Sequence, residues 1–480
     1  MDQKYRRIRE RRMNKYPVVY VDFRKFHSTN RERNSSFSPL FSEIFDELFE
    51  EFEYLGVSEK LTKKQKKSIL QFKCESEFAC YSSIRKLCEL LARHHGVVPI
   101  ILIDEIDAPL IEAKITGMYE QVSQAIKLIL LHTLNLNLYY FKVIVTSIMP
   151  IFKDERFVKL GPIKTDTCLQ PLFKSHFGFT EDNVKHLMRD YRSEATNKLT
   201  LKTLSEWYNG YKVGTETMFN TESVSECLSA GGKLQSYQNI FSESLGEWLK
   251  TLLLNHGSFP ALNIQCLCKS IALKKRLKPD SLKLNFMKTG GETNLWNVLY
   301  FAGLITFDGS SKREKGYKVD IKCPNKEVKD LLQTKVLDEL VDDKVIPDYD
   351  LFAKKVFEED AVFVLEWMEK YVISAKEFMT AEGGGHKPTL KKLVDYINLI
   401  FQGFQKTYGV NSTTTCKGRF ATTVFRNTTA PDQKLLAIDV EVEPGKLKKL
   451  RQFFTRPDGF SLFIETLGQV QTIVRFLHGV

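Results

Sequence analysis

Long apolar segments and paired cysteines are both missing from this sequence. No run of about 18 uninterrupted apolar residues occurs, so no transmembrane helix is expected. The basic N-terminal segment, residues 1–16, lacks the apolar core of a secretory signal peptide. The nine cysteines are scattered without paired spacing, which favours a reducing compartment. These absences predict a cytoplasmic or nuclear protein that has no membrane partner.

Positive charge is in excess. The chain has 70 Lys and Arg against 59 Asp and Glu, a formal net charge of +11. Such a surplus favours nucleic acid or another polyanion as a partner. Four short basic clusters occur, at residues 4–12, 63–67, 274–278 and 446–451. Each is interpreted either as a solvated helix face or as part of a binding surface, and the first also suits a nuclear localisation signal.

The most informative stretch is VVPIILIDEIDAPL, residues 97–110. Its β-branched apolar residues predict a strand buried on both faces, and the strand ends in Asp104, Glu105 and Asp107. Acidic residues at the carboxyl end of a parallel strand lie where open α/β sheets bind ligands. Hydrophobic strand followed by Asp-Glu is the Walker B pattern, in which the Asp holds Mg²⁺ and the Glu polarises water. The alternative is a strand with a solvated end.

Two similar strands flank this one along the chain. YPVVYVDF at residues 16–23 precedes it, and YYFKVIV at residues 139–145 follows it and ends on Thr146 and Ser147. Helical spacing of apolar residues between them completes a strand–helix–strand pattern, which predicts a parallel α/β sheet. Thr146 or Ser147 occupies the place where AAA-type ATPases have a sensor of the γ-phosphate. A capping hydroxyl is the other interpretation of either residue.

The remainder of the chain divides by pattern into a helical middle and a small C-terminal module. Residues 295–307 pass from a helix through Gly303 into a strand whose hairpin partner is residues 317–321, which predicts a winged-helix-like element. The glycine-rich segment 381–385 is the best linker candidate. After it we expect strands at 418–425, 435–442 and 461–464 and a basic helix at 446–454. The predicted domains are residues 1–235, 236–380 and 381–480.

Several motifs occur together in one order: YPVVYVDF, ILIDEIDAPL, FGFTEDNV, WYNGYKVG with FNTESV, and LYFAGLITFD with IKCPNKEV. The chain thereby resembles proteins that join an AAA-ATPase-like domain to a C-terminal PD-(D/E)xK nuclease-like domain. The resemblance implies a P-loop NTPase fold with Mg²⁺ and ATP as cofactors. It also implies that Asp104 binds metal and nucleotide, that Glu105 is catalytic, and that Thr146 and Ser147 contact the nucleotide.

The first departure from that family concerns the Walker A loop. In the family this loop lies upstream of the segment matched by YPVVYVDF, but only fifteen residues precede that segment here and they contain no GxxxxGK[ST]. The expected fold is therefore a parallel-sheet, P-loop-ATPase-like core that lacks its first strand and Walker A loop. A helical, winged-helix-like middle region and a small α/β, restriction-endonuclease-like module complete the expected architecture.

The second departure concerns the nuclease motif. This chemistry needs an acidic residue on one strand and (D/E)-x-K on the next. Ala421 stands where the family has a metal-binding Asp, and the next strand offers Asp439 with Glu441 in the place of the Lys. Alternation puts Asp439 and Glu441 on one strand face, so both remain candidate catalytic residues and Asp439 a candidate metal ligand.

These patterns favour a degenerate member of the family that acts through binding nucleic acid or a protein partner, with little or no catalysis. One alternative is a Mg²⁺-dependent ATPase, coupled to a nuclease domain, whose true N-terminus is missing. Another is a nuclease with a rearranged acidic site, in which Asp439 and Glu441 would be essential.

Overall fold

The computed structural model describes residues 9–10, 12–26, 38–153, 163–168, 176–191, 196–238, 244–255, 258–268, 273–277, 292–313 and 316–338, six strands between 410 and 477, and a few single residues. The chain separates into two compact units. The first contains residues 1–173, 239–249 and 278–289, and the second contains residues 174–238, 250–277 and 290–480.

The first unit is built on a parallel three-stranded sheet. Its strands are β1 (Val18–Asp22), β2 (Ile100–Asp104) and β3 (Lys142–Val145), in the order β1-β2-β3. The register sets Asp22 beside Asp104, so both acidic strand ends lie at the carboxyl edge of the sheet. The predicted parallel α/β arrangement is confirmed, although each strand is shorter than its apolar run.

The two faces of this sheet differ in burial among the described residues. Val19, Val21 and Ile101 are at most 2% exposed, whereas Val18, Tyr20 and Ile144 are 44%, 43% and 55% exposed. On β2 itself, Ile101 and Ile103 are buried and Ile100 and Leu102 are half-buried, so the expectation of burial on both faces is met only in part. An apolar run shows that each residue can be buried, but whether a second layer covers the sheet depends on tertiary structure.

Five α-helices accompany this sheet in the described residues of the first 150 positions. They are α1 (Ser38–Glu50), α2 (Lys63–Leu70), α3 (Glu77–His95), α4 (Ala108–Thr116) and α5 (Tyr119–Leu130). Helix α1 packs against β1 and α3. The helical spacing predicted between the first two strands is confirmed by α3, which begins after the Ser76 cap and ends at Gly96 in the left-handed conformation. Cys74 and Cys80 form a disulfide beside its first turn, a pair that the cysteine spacing did not predict.

The second unit contains helices, two small antiparallel sheets and a larger one. Its helices are α6 (Glu181–Asp190), α7 (Leu201–Tyr208), α8 (Thr221–Ser229), α10 (Ser258–Cys268), α11 (Glu292–Phe301) and α12 (Lys326–Leu332), while α9 (Ser244–Asn255) runs through the division between the units. The small sheets are β4 (Tyr211–Val213) with β5 (Glu216–Met218), and β6 (Leu273–Leu277), β8 (Gly316–Lys322) and β7 (Thr306–Arg313) in that order.

The predicted helix and β-hairpin of the middle region are confirmed as α11, β7 and β8, and helix α12 follows them. Its winged-helix class stays a prediction. The basic cluster at 274–278 does not form the helix face that was one of its interpretations, because residues 273–277 are strand β6. The ammonium of Lys275 lies 4.7 Å from the centre of the Trp296 ring, so this cation makes a cation–π contact within the protein.

The described C-terminal residues form one antiparallel six-stranded sheet. Its strands, in the order β12-β13-β14-β11-β10-β9, are β9 (Val410–Lys417), β10 (Phe420–Asn427), β11 (Leu435–Val442), β12 (Leu450–Thr455), β13 (Ser461–Leu467) and β14 (Val470–Leu477). The expected helix at 446–454 is wrong for residues 450–454. Strand β13 supplies backbone hydrogen-bond partners for this segment, which a local sequence window cannot reveal. The predicted linker at 381–385 lies outside the described residues.

Among the described helices, none combines the length and the apolar character needed to cross a membrane.

Candidate functional site

Asp104 is the centre of the polar contacts at the carboxyl edge of the parallel sheet. Its Oδ2 accepts a hydrogen bond from the Tyr20 hydroxyl at 3.0 Å, and its Oδ1 accepts one from the Thr146 hydroxyl. These donors lie on β1 and immediately after β3, the two neighbours of β2 in the sheet. Asp104 therefore links all three strands through its side chain.

Glu105 takes an unusual backbone conformation directly after Asp104. Its φ of 49° lies in the left-handed region, which costs a non-glycine residue on the order of 1–3 kcal/mol. In this conformation the backbone N–H of Glu105 donates to Thr146 Oγ1 at 3.1 Å, and that of Ile106 donates to the Thr146 carbonyl at 3.1 Å. The turn after β2 is thus fastened to the end of β3 through Thr146.

The two candidate hydroxyls after β3 behave differently. Thr146 contacts Asp104 and Glu105, as a residue that reports on the acidic edge would. Ser147 donates to the carbonyl of Met149 at 2.6 Å, which is a local turn contact. The geometry therefore brings Thr146 to Asp104 and gives Ser147 a local turn contact, while the nucleotide contacts of both residues stay predictions.

Asp107, the third carboxylate of the Walker B-like stretch, is fully buried. It accepts hydrogen bonds from the backbone N–H groups of Ile148, at 3.2 Å, and Met149, at 2.7 Å. Burial raises the pKa of Asp107 to about 6, although these backbone donors act in the opposite direction. Asp107 joins the turn after β2 to the loop after β3 and takes no part in the exposed acidic edge.

Sequence reasoning missed Arg24 as a member of this edge. Its guanidinium makes three contacts with the Asp22 carboxylate at 2.9–3.2 Å and lies 3.9 Å from Asp104 Oδ2. Burial alone raises the pKa of Asp22, but the hydrogen bonds and charge of Arg24 outweigh it and hold that pKa below its usual value. The signal in the sequence was the acidic end of YPVVYVDF followed closely by a cation.

The residues of this edge do not fit a magnesium ion as they stand. Mg²⁺ requires carboxylate or water oxygens in near-octahedral geometry. Both oxygens of Asp104 already accept hydroxyl hydrogen bonds, and the guanidinium of Arg24 stands 3.9 Å away. Within the ranges that the structure describes, no group of three His, Cys, Asp or Glu side chains is arranged to hold a metal ion.

The candidate nuclease residues lie on neighbouring antiparallel strands. The register pairs Asp439 with Thr422, Glu441 with Phe420, and Ala421 with Val440. Ala421 is therefore not the direct partner of Asp439 across the two strands. The catalytic and metal-binding roles of Asp439 and Glu441 stay predictions.

A second polar cluster, which sequence reasoning also missed, surrounds the fully buried Glu327 of the second unit. Its carboxylate accepts hydrogen bonds from the Ser223 hydroxyl at 2.9 Å, the Tyr237 backbone N–H at 2.9 Å and Gln238 Nε2 at 3.1 Å. Burial raises the pKa of Glu327, and these donors partly offset that effect. Glu327 and Ser223 belong to the IKCPNKEV and FNTESV motifs, so the carboxylate connects segments that are distant in sequence.

The backbone of Gly210, in the WYNGYKVG motif, packs closely against the backbone of Pro324, in the IKCPNKEV motif. Its φ is 110°, and a Cβ added there would lie 2.1 Å from the carbonyl oxygen of Pro324. Only glycine fits such a position without displacement of the backbone. These motifs therefore have a packing role, with the interior of the second unit built around them.

Comparison with known proteins gives one family. Residues 4–157 match the family model described as AAA-ATPase-like, "Predicted AAA-ATPase". The AAA-ATPase-like part of the resemblance is thereby confirmed for this segment, which contains β1, β2, β3 and the whole Asp104 edge. Members of such a family use ATP and Mg²⁺ in general. No curated protein and no solved structure matches the chain.

Proposed function

We propose that this chain is a degenerate AAA-ATPase-like and nuclease-like protein that acts by binding nucleic acid or a protein partner, with little or no catalysis. The observation that carries the proposal is the set of contacts around Asp104. Both carboxylate oxygens are engaged by Tyr20 and Thr146, and the neighbouring charge is the cation of Arg24. A carboxylate in this state joins strands, and a guanidinium already stands beside it where a metal–nucleotide complex would bring its cation.

The phosphate-binding part of the sequence supports the same proposal. The 480 residues contain no GxxxxGK[ST], the pattern whose backbone N–H groups and lysine bind nucleotide phosphates. Within these 480 residues, tight nucleotide binding would need phosphate contacts other than this pattern.

Nucleic acid is the partner that the charge favours. Among the described residues, α2 carries Lys63, Lys64 and Lys67 exposed on one short helix, within a chain of net charge +11. Lys63 and Lys67 are neighbours at i,i+4 and form a compact cationic patch. Phosphate contacts by such residues release counterions, so the affinity is expected to fall steeply as salt increases.

Fluorescence anisotropy with a labelled oligonucleotide over a salt series tests this partner. The triple variant Lys63→Gln, Lys64→Gln, Lys67→Gln should weaken binding and flatten the salt dependence. A triple variant at the exposed Lys198, Lys202 and Lys233 is the matched control and should change less. No binding at low salt, or binding independent of salt, would remove nucleic acid as the partner.

A Mg²⁺-dependent ATPase coupled to a nuclease domain is the alternative function. It is favoured by the meeting of Asp104 and Thr146 at the carboxyl edge of a parallel sheet and by the family match of residues 4–157. Calorimetry with Mg²⁺-ATP and a phosphate-release assay distinguish the two. Turnover that is lost in Asp104→Ala and kept in Asp190→Ala, an exposed aspartate on α6, would overturn our proposal. Absence of nucleotide binding supports it.

The nuclease component of the alternative is tested separately. Cleavage of duplex DNA in Mg²⁺ would have to disappear in Asp439→Ala and in Glu441→Ala. Cleavage that survives both substitutions would come from a contaminant or another site, whereas no cleavage by the unmodified chain agrees with the degenerate motif.

A further inference from the structure

The acidic edge of the parallel sheet contains its own cation. Asp22 and Asp104 are register neighbours at the carboxyl ends of β1 and β2. The Arg24 Nε lies 3.1 and 3.2 Å from the two oxygens of Asp22, and its Nη2 lies 2.9 Å from Asp22 Oδ2 and 3.9 Å from Asp104 Oδ2. One guanidinium therefore faces both carboxylates.

The position of Arg24 is set by the fold around it. Asp22 caps the single 3-10 turn Phe23–Lys25, since its side chain accepts the Arg24 backbone N–H at 2.9 Å. Phe23 and Phe26, on either side of the turn, are 0% and 6% exposed. Because these two rings anchor the turn, the arginine is held over the edge even though its own side chain is 53% exposed.

We infer that Arg24 is a positioning residue that neutralises Asp22 and Asp104 in place of a divalent cation and so excludes Mg²⁺ from this edge. Its planar fork donates to both oxygens of the Asp22 carboxylate, which compensates the charge that a metal ion would otherwise compensate. Its positive charge repels a second cation at a distance where charges at a protein surface still interact strongly. Removal of the guanidinium should leave two adjacent carboxylates without a counterion.

This role of Arg24 rests on the proposed function, in which the Asp104 edge no longer binds a metal–nucleotide complex. The test uses the metal ion alone, without nucleotide or nucleic acid. A negative result would therefore disprove the role of Arg24 without affecting the tests of nucleotide and nucleic-acid binding. Mn²⁺ is the probe, because the free ion is counted directly by electron paramagnetic resonance and it accepts the same oxygen ligands as Mg²⁺. The full chain is titrated with MnCl₂, and Mg²⁺ is then added as a competitor.

Any weak Mn²⁺ binding by the unmodified protein should be unchanged in Asp104→Asn, because Arg24 keeps the metal from this edge. Arg24→Gln should gain affinity by about tenfold or more through removal of a nearby positive charge. The gain should vanish in the double variant Arg24→Gln with Asp104→Asn. Arg24→Lys, which keeps the charge but not the fork, should bind Mn²⁺ less well than Arg24→Gln.

The matched control is Arg93→Gln. Arg93 is 49% exposed and pairs with Glu89 at 2.8 Å on α3, remote from the edge in sequence, so its loss should leave Mn²⁺ binding unchanged. Equal Mn²⁺ affinity in the unmodified protein and Arg24→Gln would overturn the inference, and so would a gain that persists without Asp104. A purely structural role for Arg24 would change the urea midpoint without changing metal affinity, which also contradicts it.

Discussion

The hydroxyl of Thr146 donates a hydrogen bond to the carboxylate of Asp104, 42 residues earlier in the chain. The same hydroxyl oxygen accepts the backbone N–H of Glu105. Thr146 therefore serves both residues of the Asp-Glu pair that ends the central strand. This relationship makes the acidic edge a property of three strands together, and it determines how substitutions there will act.

Thr146→Val should destabilise the first unit. The substitution removes the donor to Asp104 and the acceptor of the Glu105 N–H, and because both hydrogen bonds are solvent-exposed the expected loss is about 1 kcal/mol in the free energy of unfolding. The urea denaturation midpoint measures it. Thr217→Val, at an exposed position of β5, is the control and should stay within about 0.5 kcal/mol. Equal effects at both positions would contradict a linking role for Thr146.

The buried carboxyl of Asp107, whose pKa is raised, should make the stability of the first unit depend on pH. Its folded pKa is about 6, above the ordinary value of 3.8, so the folded state binds more protons than the unfolded state between these values. The contribution of Asp107 to the free energy of unfolding should therefore be largest below about pH 4 and fall by up to about 3 kcal/mol as the pH rises through 6.

The measurement for Asp107 is the pH dependence of urea midpoints for the unmodified protein and Asp107→Asn. The variant loses this titration and should show a flatter profile between about pH 4 and 6. Asp190→Asn, at an exposed position, should keep the profile of the unmodified chain. A profile that Asp107→Asn leaves unchanged would show that another group is responsible.

Gly210→Ala should be severely destabilising. The new Cβ would meet the Pro324 carbonyl oxygen at 2.1 Å in a backbone conformation with φ of 110°, so the loss should exceed about 3 kcal/mol. Gly117→Ala is the control: its φ is 77°, but nothing lies within 4 Å of the added Cβ, and the expected cost is about 1–2 kcal/mol. Thermal unfolding followed by circular dichroism compares the two. Similar losses would mean that the contact with Pro324 does not form.

Glu327→Gln tests the buried cluster of the second unit. The amide nitrogen would face donors from Ser223, Tyr237 or Gln238 where a carboxylate oxygen now accepts them, at a cost of about 1–3 kcal/mol. Glu226→Gln, exposed on α8, should be nearly neutral. The urea midpoints of the two variants give the comparison. If Glu327→Gln leaves the midpoint unchanged, the cluster does not contribute to stability.

Much of the first unit followed from local pattern. β-branched apolar runs with acidic ends predicted β1 and β2, and helical spacing of apolar residues predicted helices between the strands. The parallel order followed from the alternation of strands and helices. The sequence also indicated that Thr146 or Ser147 follows the strand beside β2, and the structure showed that Thr146 is the one in contact with Asp104.

Other features depended on contacts that no sequence window contains. Arg24 approaches Asp104 because the capped turn after β1 places its side chain beside the end of the neighbouring strand β2. Glu327 accepts hydrogen bonds from segments about 90 to 100 residues earlier in the chain. Residues 450–455 form a strand because β13 lies beside them. The sequence by itself determined which segments can be strands or helices and where charge collects, since these depend on near neighbours. Tertiary structure alone decided which sheet face is covered and which cation compensates Asp104, because both depend on groups brought together by the fold.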